Sequence, residues 1–313
     1  MAILVGIGLM MPTWAQLPLQ SALPNESQTE PLEEVLVTAL EPRYVAPTLF
    51  DRIGRIWAPV YINEQGPFRL VLDTGATHSA IIQSVADTLQ LEPDPKAAVQ
   101  LRAATGSAVV PTVKIDSLRM GDLLLKGKKL PIISTALGGA DGVLGTEGLD
   151  DKRIDIDFRR DRITITRSQR QRADPGFVTI PIDFARGKLL TTTVYMGGVR
   201  MKAIIDTGGQ ATIANLAARA ALQRAIRKNN PSVDNIVGAT QDIEIGQGYP
   251  VPPIIMGDVR INSAHMTFLD LHIFKYWQYI DEPAVLIGMD VIGLLDRLII
   301  DYRREELQLK VRS

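Results

Sequence analysis

Two stretches of the chain are written on one pattern. The first runs from Trp57 through Ala-Pro-Val-Tyr-Ile-Asn to a Gly66-Pro67 turn, then Phe68-Arg-Leu-Val-Leu into Asp73-Thr74-Gly75. The second runs from Thr192 through Thr-Val-Tyr-Met to a Gly197-Gly198 turn, then Met201-Lys-Ala-Ile-Ile into Asp206-Thr207-Gly208. Apolar residues on both sides of a glycine-bearing turn predict a hairpin, so each copy is a hairpin that delivers an acidic loop. Short helices are expected next, over 84–91 and from about 215 to 228. Further on, Gly142-Val-Leu-Gly145 answers Val285-Leu-Ile-Gly288. Arg153-Ile-Asp-Ile-Asp157 likewise answers Arg297-Leu-Ile-Ile-Asp301. The offset is 133 residues between the Asp-Thr-Gly motifs, 143 between Gly145 and Gly288, and 144 between Asp157 and Asp301. A nearly fixed offset with order preserved is the mark of a tandem duplication, here with about ten residues added to the second copy.

The repeats occupy roughly 55–167 and 188–311, which predicts an N-terminal lobe over 49–167, a polar linker over 168–177 and a C-terminal lobe over 178–313. With 313 residues and 46% apolar content, each lobe is large enough to bury its own core. Lys and Arg number 34 against 35 Asp and Glu, so no electrostatic case exists for nucleic acid as partner. The chain has no cysteine, which excludes thiol catalysis, cysteine-ligated zinc and disulfides. Its three histidines, His78, His265 and His272, show no metal-binding spacing, so no metal and no cofactor is expected. Gly-x-Ser-x-Gly is absent, and the glycines at 138, 139 and 142 lack the Lys-Ser or Lys-Thr of a phosphate loop.

One Asp-Thr-Gly alone is most simply a turn. Two, each leaving a buried strand, can bring Asp73 and Asp206 together if the halves pack about a pseudo-twofold axis. Close carboxylates share one proton and titrate as a unit, placing a base and an acid side by side. One takes a proton from water attacking a carbonyl; the other donates to the developing oxyanion.

Val71-Leu72-Asp73-Thr74-Gly75-Ala76 and Ile204-Ile205-Asp206-Thr207-Gly208-Gly209 resemble the active-site loops of retropepsin-like aspartic proteases. Val143-Leu144-Gly145 and Leu286-Ile287-Gly288 resemble the apolar-apolar-Gly element of that family. The resemblance implies an all-β, bilobal acid-protease fold, with β-barrel lobes, pseudo-twofold symmetry and a few short helices. It implies an aspartic endopeptidase that acts on a peptide or protein substrate as a monomer. By similarity, Thr74 and Thr207 exchange hydrogen bonds across the interface, Gly75 and Gly208 approach the carboxylates, and the Ser79 and Thr212 hydroxyls support the loops. A flap is expected within 101–113 with its tip at Thr105, Gly106 and Ser107, and a second around Ile236–Gln241. The family's pepsin-like members place Ser or Thr after the Gly, where this chain has Ala76 and Gly209. Losing that hydroxyl leaves the shared proton more tightly held and predicts activity reaching weakly acidic or neutral pH. The alternatives are a peptide-binding protein that turns over nothing, and a homodimer that uses only the first Asp-Thr-Gly.

Ala2–Met11 is a short apolar run followed by Pro12-Thr13-Trp14-Ala15. It is too short to span a bilayer, and small residues at 13 and 15 suit cleavage after Ala15, although no Lys or Arg precedes the run. The expectation is a signal peptide over 1–15, a flexible leader over 16–48 rich in Pro, Glu, Ser and Gln, no transmembrane segment in the mature chain, and a periplasmic or secreted location.

Overall fold

The computed structural model describes residues 34–36, 41–42, 57–134, 139–169, 172–185 and 189–312. The expected signal peptide and most of the leader lie outside them. Two short leader strands are described by their backbone pairing, β1 (Glu34–Leu36) and β2 (Glu41–Pro42). The fold is all-β with a few short helices, as the sequence predicts.

The first half opens with β3 (Trp57–Ile62) and β4 (Gln65–Leu72). Their turn is Asn63-Glu64, with φ of 48° and 61°, rather than the expected Gly66-Pro67. Two left-handed residues give the twist that a two-residue hairpin needs. Gly66-Pro67 instead lies inside β4, where Gly66 has φ +133° and a Cβ would fall 2.8 Å from the Val60 carbonyl. Next come β5 (Ala80–Ile82), α1 (Gln83–Thr88), β6 (Asp94–Arg102), β7 (Ser107–Met120), β8 (Leu123–Ile133) and β9 (Gly142–Leu144). Helix α1 stops short of the expected Leu91, before Gln90 at φ 54°. The order β7-β3-β4-β9-β5-β8 closes through β7–β8 into a six-stranded barrel. Closure removes every free edge from the ring. The start of β7 projects beyond it as a hairpin with β6, from Val99–Val110 to Arg102–Ser107.

Then follow β10 (Lys152–Asp157), β11 (Arg162–Arg167), β12 (Val178–Pro181) and β13 (Asp183–Ala185). The second half comprises β14 (Leu189–Met196), β15 (Val199–Ile205), β16 (Ile213–Ala214), α2 (Leu216–Ile226), β17 (Ser232–Val237), β18 (Ile243–Pro250), β19 (Ile254–Met256), β20 (Val259–Ile261), β21 (His265–Phe268), α3 (His272–Tyr276), β22 (Ala284–Ile287) and α4 (Met289–Ile292). The Asn215 side chain caps α2 by accepting from the Ala218 N–H at 2.8 Å. The pairings repeat those of the first half. Strand β15 runs parallel to β22 as β4 does to β9, and β16 lies parallel to β21 and antiparallel to β22, as β5 does to β8 and β9. Where the first half has the long β7 and β8, the second has β18 with β19 and β20 with β21. Residues 251–253, with Pro252 and Pro253, interrupt one strand, because proline cannot donate to a ladder; Ser263 at φ 58° interrupts the other.

Strands β23 (Leu295–Asp301) and β24 (Glu306–Val311) complete a sheet shared by the halves, in the order β11-β10-β23-β24-β12. The two repeated Arg-x-x-x-Asp strands meet at its centre, antiparallel, with Arg153 opposite Asp301 and Asp157 opposite Arg297. The main apolar core runs through both halves and this sheet. A smaller one forms around the segment after β21, where Leu271, Phe274 and Trp277 are buried with Ala104 and Ile236 from the two hairpins. Burial of a side chain the size of Phe274 contributes about 2–3 kcal/mol. That places the aromatic group around α3 in core packing rather than in a ligand box.

Candidate active site

Each Asp-Thr-Gly leaves the end of an interior strand, β4 or β15. The neighbouring parallel strand fixes its backbone: the Asp73 N–H donates to the Leu144 carbonyl and the Asp206 N–H to the Ile287 carbonyl, both at 3.0 Å. The two loops then lock together. Thr74 Oγ1 donates to the Ile205 carbonyl at 2.6 Å, and Thr207 Oγ1 to the Leu72 carbonyl at 2.7 Å. Each threonine N–H in turn donates to the other's hydroxyl at 3.1 Å. Asp73, Thr74, Gly75, Asp206, Thr207 and Gly208 are thus brought into one place.

The carboxylates are fully buried, with both Asp73 and Asp206 at 0% exposure. Gly75 N–H donates to Asp73 Oδ1 at 2.7 Å; Gly208 and Gly209 N–H donate to Asp206 Oδ1 at 3.0 Å. Gly208 lies against the opposite carboxylate: a Cβ there would fall 2.5 Å and 2.7 Å from the Asp73 oxygens. Burial first, then the charge of Asp73, push the Asp206 carboxyl well above the usual range, and a hydrogen bond between the two side chains acts in the same direction. The N–H groups of Gly209 and Gly208 oppose this without reversing it. The Tyr302 phenol, stacked on Phe184, is also pushed up, by burial and then by the charge of Asp73.

Ser79 and Thr212 stand one layer further out. Their hydroxyls accept the N–H groups of Gly145 and Gly288, both at 3.1 Å. Each is held by an acid that sequence reasoning missed. Glu147 Oε1 accepts the Ser79 N–H at 2.7 Å, and Asp290 accepts the Thr212 N–H at 2.9 Å and its hydroxyl at 2.6 Å. Both acids stand two residues after the repeated glycine, a signal present in the sequence. Burial raises the Asp290 carboxyl, and the two bonds from Thr212 offset part of that rise.

The two hairpins meet at their tips. The first turn is residues 103–106, one or two residues earlier than expected. Ala103 and Ala104 are fully buried, Thr105 nearly so, and Ser107 is exposed at the start of β7 opposite Arg102. A Cβ at Gly106 would overlap the Asp242 carboxylate, and one at Gly238 would overlap the Thr105 hydroxyl. The first hairpin is further tied to the second half, where the Ile273 N–H donates to the Ala104 carbonyl at 3.3 Å and Arg102 lies 4.7 Å over the Tyr276 ring. His78, half-buried, bonds the neighbouring Thr77 hydroxyl at 2.9 Å, outside the carboxylate pair. Among the described residues no group of three or more His, Cys, Asp or Glu could hold a metal ion, and no helix is long and apolar enough to cross a membrane.

Residues 58–147 match the family model described as aspartyl protease. No curated protein matches the chain. The matched segment contains the first barrel, its hairpin and Asp73. With the all-β fold, the match supports a likeness of this segment to the retropepsin-like aspartyl proteases.

Proposed function

We propose that the chain is an aspartic endopeptidase that uses Asp73 and Asp206 as one intramolecular dyad in a cleft between two lobes. The observation that carries this is the reciprocal Thr74–Thr207 bonding, which sets two buried carboxylates against each other within one chain. Such a pair holds one proton over a wide pH range. Burial and the charge of Asp73 both raise the Asp206 carboxyl, so the pair retains one proton between them. The ionised carboxylate then takes a proton from the attacking water, while the protonated one donates to the carbonyl oxygen of the scissile bond. Collapse of the tetrahedral intermediate breaks the C–N bond and returns a proton to the leaving amine. Substrate lies extended under the two hairpins, bonded through its main chain. The intramolecular dyad favours a monomer over a dimer that leaves Asp206 idle. The raised Asp206 carboxyl is consistent with activity reaching weakly acidic and neutral pH.

The test is cleavage of a mixed peptide library from acid to neutral pH by wild type, Asp73→Asn and Asp206→Asn. Each single variant is expected to abolish cutting. Loss with Asp73→Asn alone would establish the first-lobe homodimer. A folded wild type that cuts nothing at any pH would establish a binding protein on this fold.

A further inference from the structure

Helix α2 is basic, and its cations stand free. Residues 216–228 hold Arg219, Arg224, Arg227 and Lys228 with no Asp or Glu among them. Among the described residues none of the four is ion-paired. The last three sit in or just past the final turn, where the helix dipole favours positive charge, so the free row is stable there. The helix buries Ala218, Leu222 and Ile226. Beside that stripe Leu216, Arg219, Ala220, Gln223 and Arg227 recur at helical spacing and, with Tyr249 of β18, line a groove of about 430 Å³. The Arg219 guanidinium is anchored there, 5.5 Å over the Tyr249 ring and donating to its hydroxyl at 3.1 Å. That hydroxyl donates in turn to Gln247 at 3.3 Å.

Tyr249 ties the groove to the second hairpin. In the register of β17 and β18, Val233 stands opposite Gln247, Asn235 opposite Ile245 and Val237 opposite Ile243. Val233, Ile243, Ile245 and Gln247 therefore share one face, which Tyr249 continues two residues on. On that face Val233 is 76% exposed, Ile245 68% and Ile243 53%. Exposed apolar side chains in a row, rimmed by charge, mark an interaction surface. Its length and charge select the occupant. Ile243 to Tyr249 covers six strand steps, roughly 20 Å, and Leu216 to Arg227 covers eleven helix steps, roughly 16 Å. Each is the reach of about five or six extended residues, well beyond a small organic anion. A flat bilayer leaves the concave groove empty. Free cations at the groove call for carboxylates, and the row of β-branched side chains calls for apolar ones.

We propose that the α2 groove and the exposed face of the second hairpin form a docking site for an extended, acidic segment of another protein. Its apolar residues lie on Val233, Ile243 and Ile245, and its carboxylates meet Arg219, Gln223 and Arg227. The site shares no residue with the Asp-Thr-Gly loops. On the peptidase reading it selects protein substrates by a segment other than the one cut, but docking itself requires no turnover.

The experiment reads the fluorescence anisotropy of a labelled peptide, Val-Ile-Val-Leu-Gly-Glu-Asp-Glu-Glu-Glu, on the full chain carrying Asp206→Asn so that bound peptide stays whole. The same peptide with Gln and Asn in place of Glu and Asp is expected to bind about tenfold or more weakly, and about 0.5 M salt is expected to remove most of that difference. Adding Arg227→Glu is expected to weaken the acidic peptide about tenfold or more and to leave the amide peptide unchanged. Adding Ile245→Thr is expected to weaken both peptides about threefold or more. Both side chains are exposed, and circular dichroism checks that each variant is folded. Equal affinity for the acidic and amide peptides overturns the proposal. Equal affinity of the acidic peptide for all three proteins also overturns it, since the peptide then sits elsewhere on the molecule. Binding to vesicles of about 30% phosphatidylserine, with neither peptide bound, overturns it in favour of a membrane surface. Docking as expected beside a wild type that cuts no library keeps the site and removes the peptidase, whereas cutting without these affinity differences does the reverse.

Discussion

Replacing Thr74 by valine tests whether the bonds between the two loops hold the carboxylates in register. Valine keeps the β-branched shape and removes only the hydroxyl. That hydroxyl donates to the Ile205 carbonyl at 2.6 Å and accepts the Thr207 N–H at 3.1 Å. Thr74 is 1% exposed and Thr207 4%, so water cannot replace either bond without the loops parting. A buried polar group left without its partner costs about 1–3 kcal/mol, so two together cost about 2–4 kcal/mol, allowing for the second lone pair of the carbonyl. Thr74→Ser keeps both bonds and loses one methyl, worth about 0.8 kcal/mol. Urea unfolding at neutral pH should therefore separate the two variants by about 1–3 kcal/mol, with valine the weaker. Peptide turnover should fall much further in the valine variant than in the serine variant. If the two variants unfold within about 0.5 kcal/mol of each other, the threonine network does not bear on stability and the reasoning fails.

Asp206→Asn is expected to stabilise the fold increasingly as pH rises. The native Asp206 holds its proton more tightly than the unfolded chain does, so wild type loses stability as pH climbs from the ordinary carboxylate value through the raised one. Asparagine has no such loss, so the gap in thermal midpoint should widen across that window and then level off; a gap independent of pH would refute it. Gly208→Ala puts a methyl on the Asp73 carboxylate. It should leave a folded protein whose turnover is lower by about two orders of magnitude, measured beside circular dichroism; full activity would place Asp73 elsewhere.

The acidic loops were legible because their signals are local: a run of apolar residues ending at Asp-Thr-Gly, twice, with Gly145 and Gly288 at matching distances. The first hairpin turn was misplaced because Gly-Pro is a stronger turn signal than Asn-Glu, yet Asn63 and Glu64 take the left-handed conformation there. Glu147 and Asp290 escaped notice because the glycine landmark closed the comparison two residues too early. The break of one strand after Pro250, at Pro252 and Pro253, was visible as composition, but only the pairing shows it as an interruption of a strand that the first half keeps whole. The pairing of β1 with β6 and of β2 with β17 had no local signal at all. Val35 and Leu36 are ordinary apolar residues in a polar stretch, and their partners lie far away in sequence, on strands from different halves.

The central pair of the shared sheet has a consequence for each lobe taken alone. Arg-x-x-x-Asp laid antiparallel on Arg-x-x-x-Asp sets opposite charges against each other at both ends, as Arg153 with Asp301 and Asp157 with Arg297 do here. The segment is a palindrome in charge, complementary to its own copy. Any single lobe bearing such a segment would carry an interface fit for a second molecule of itself.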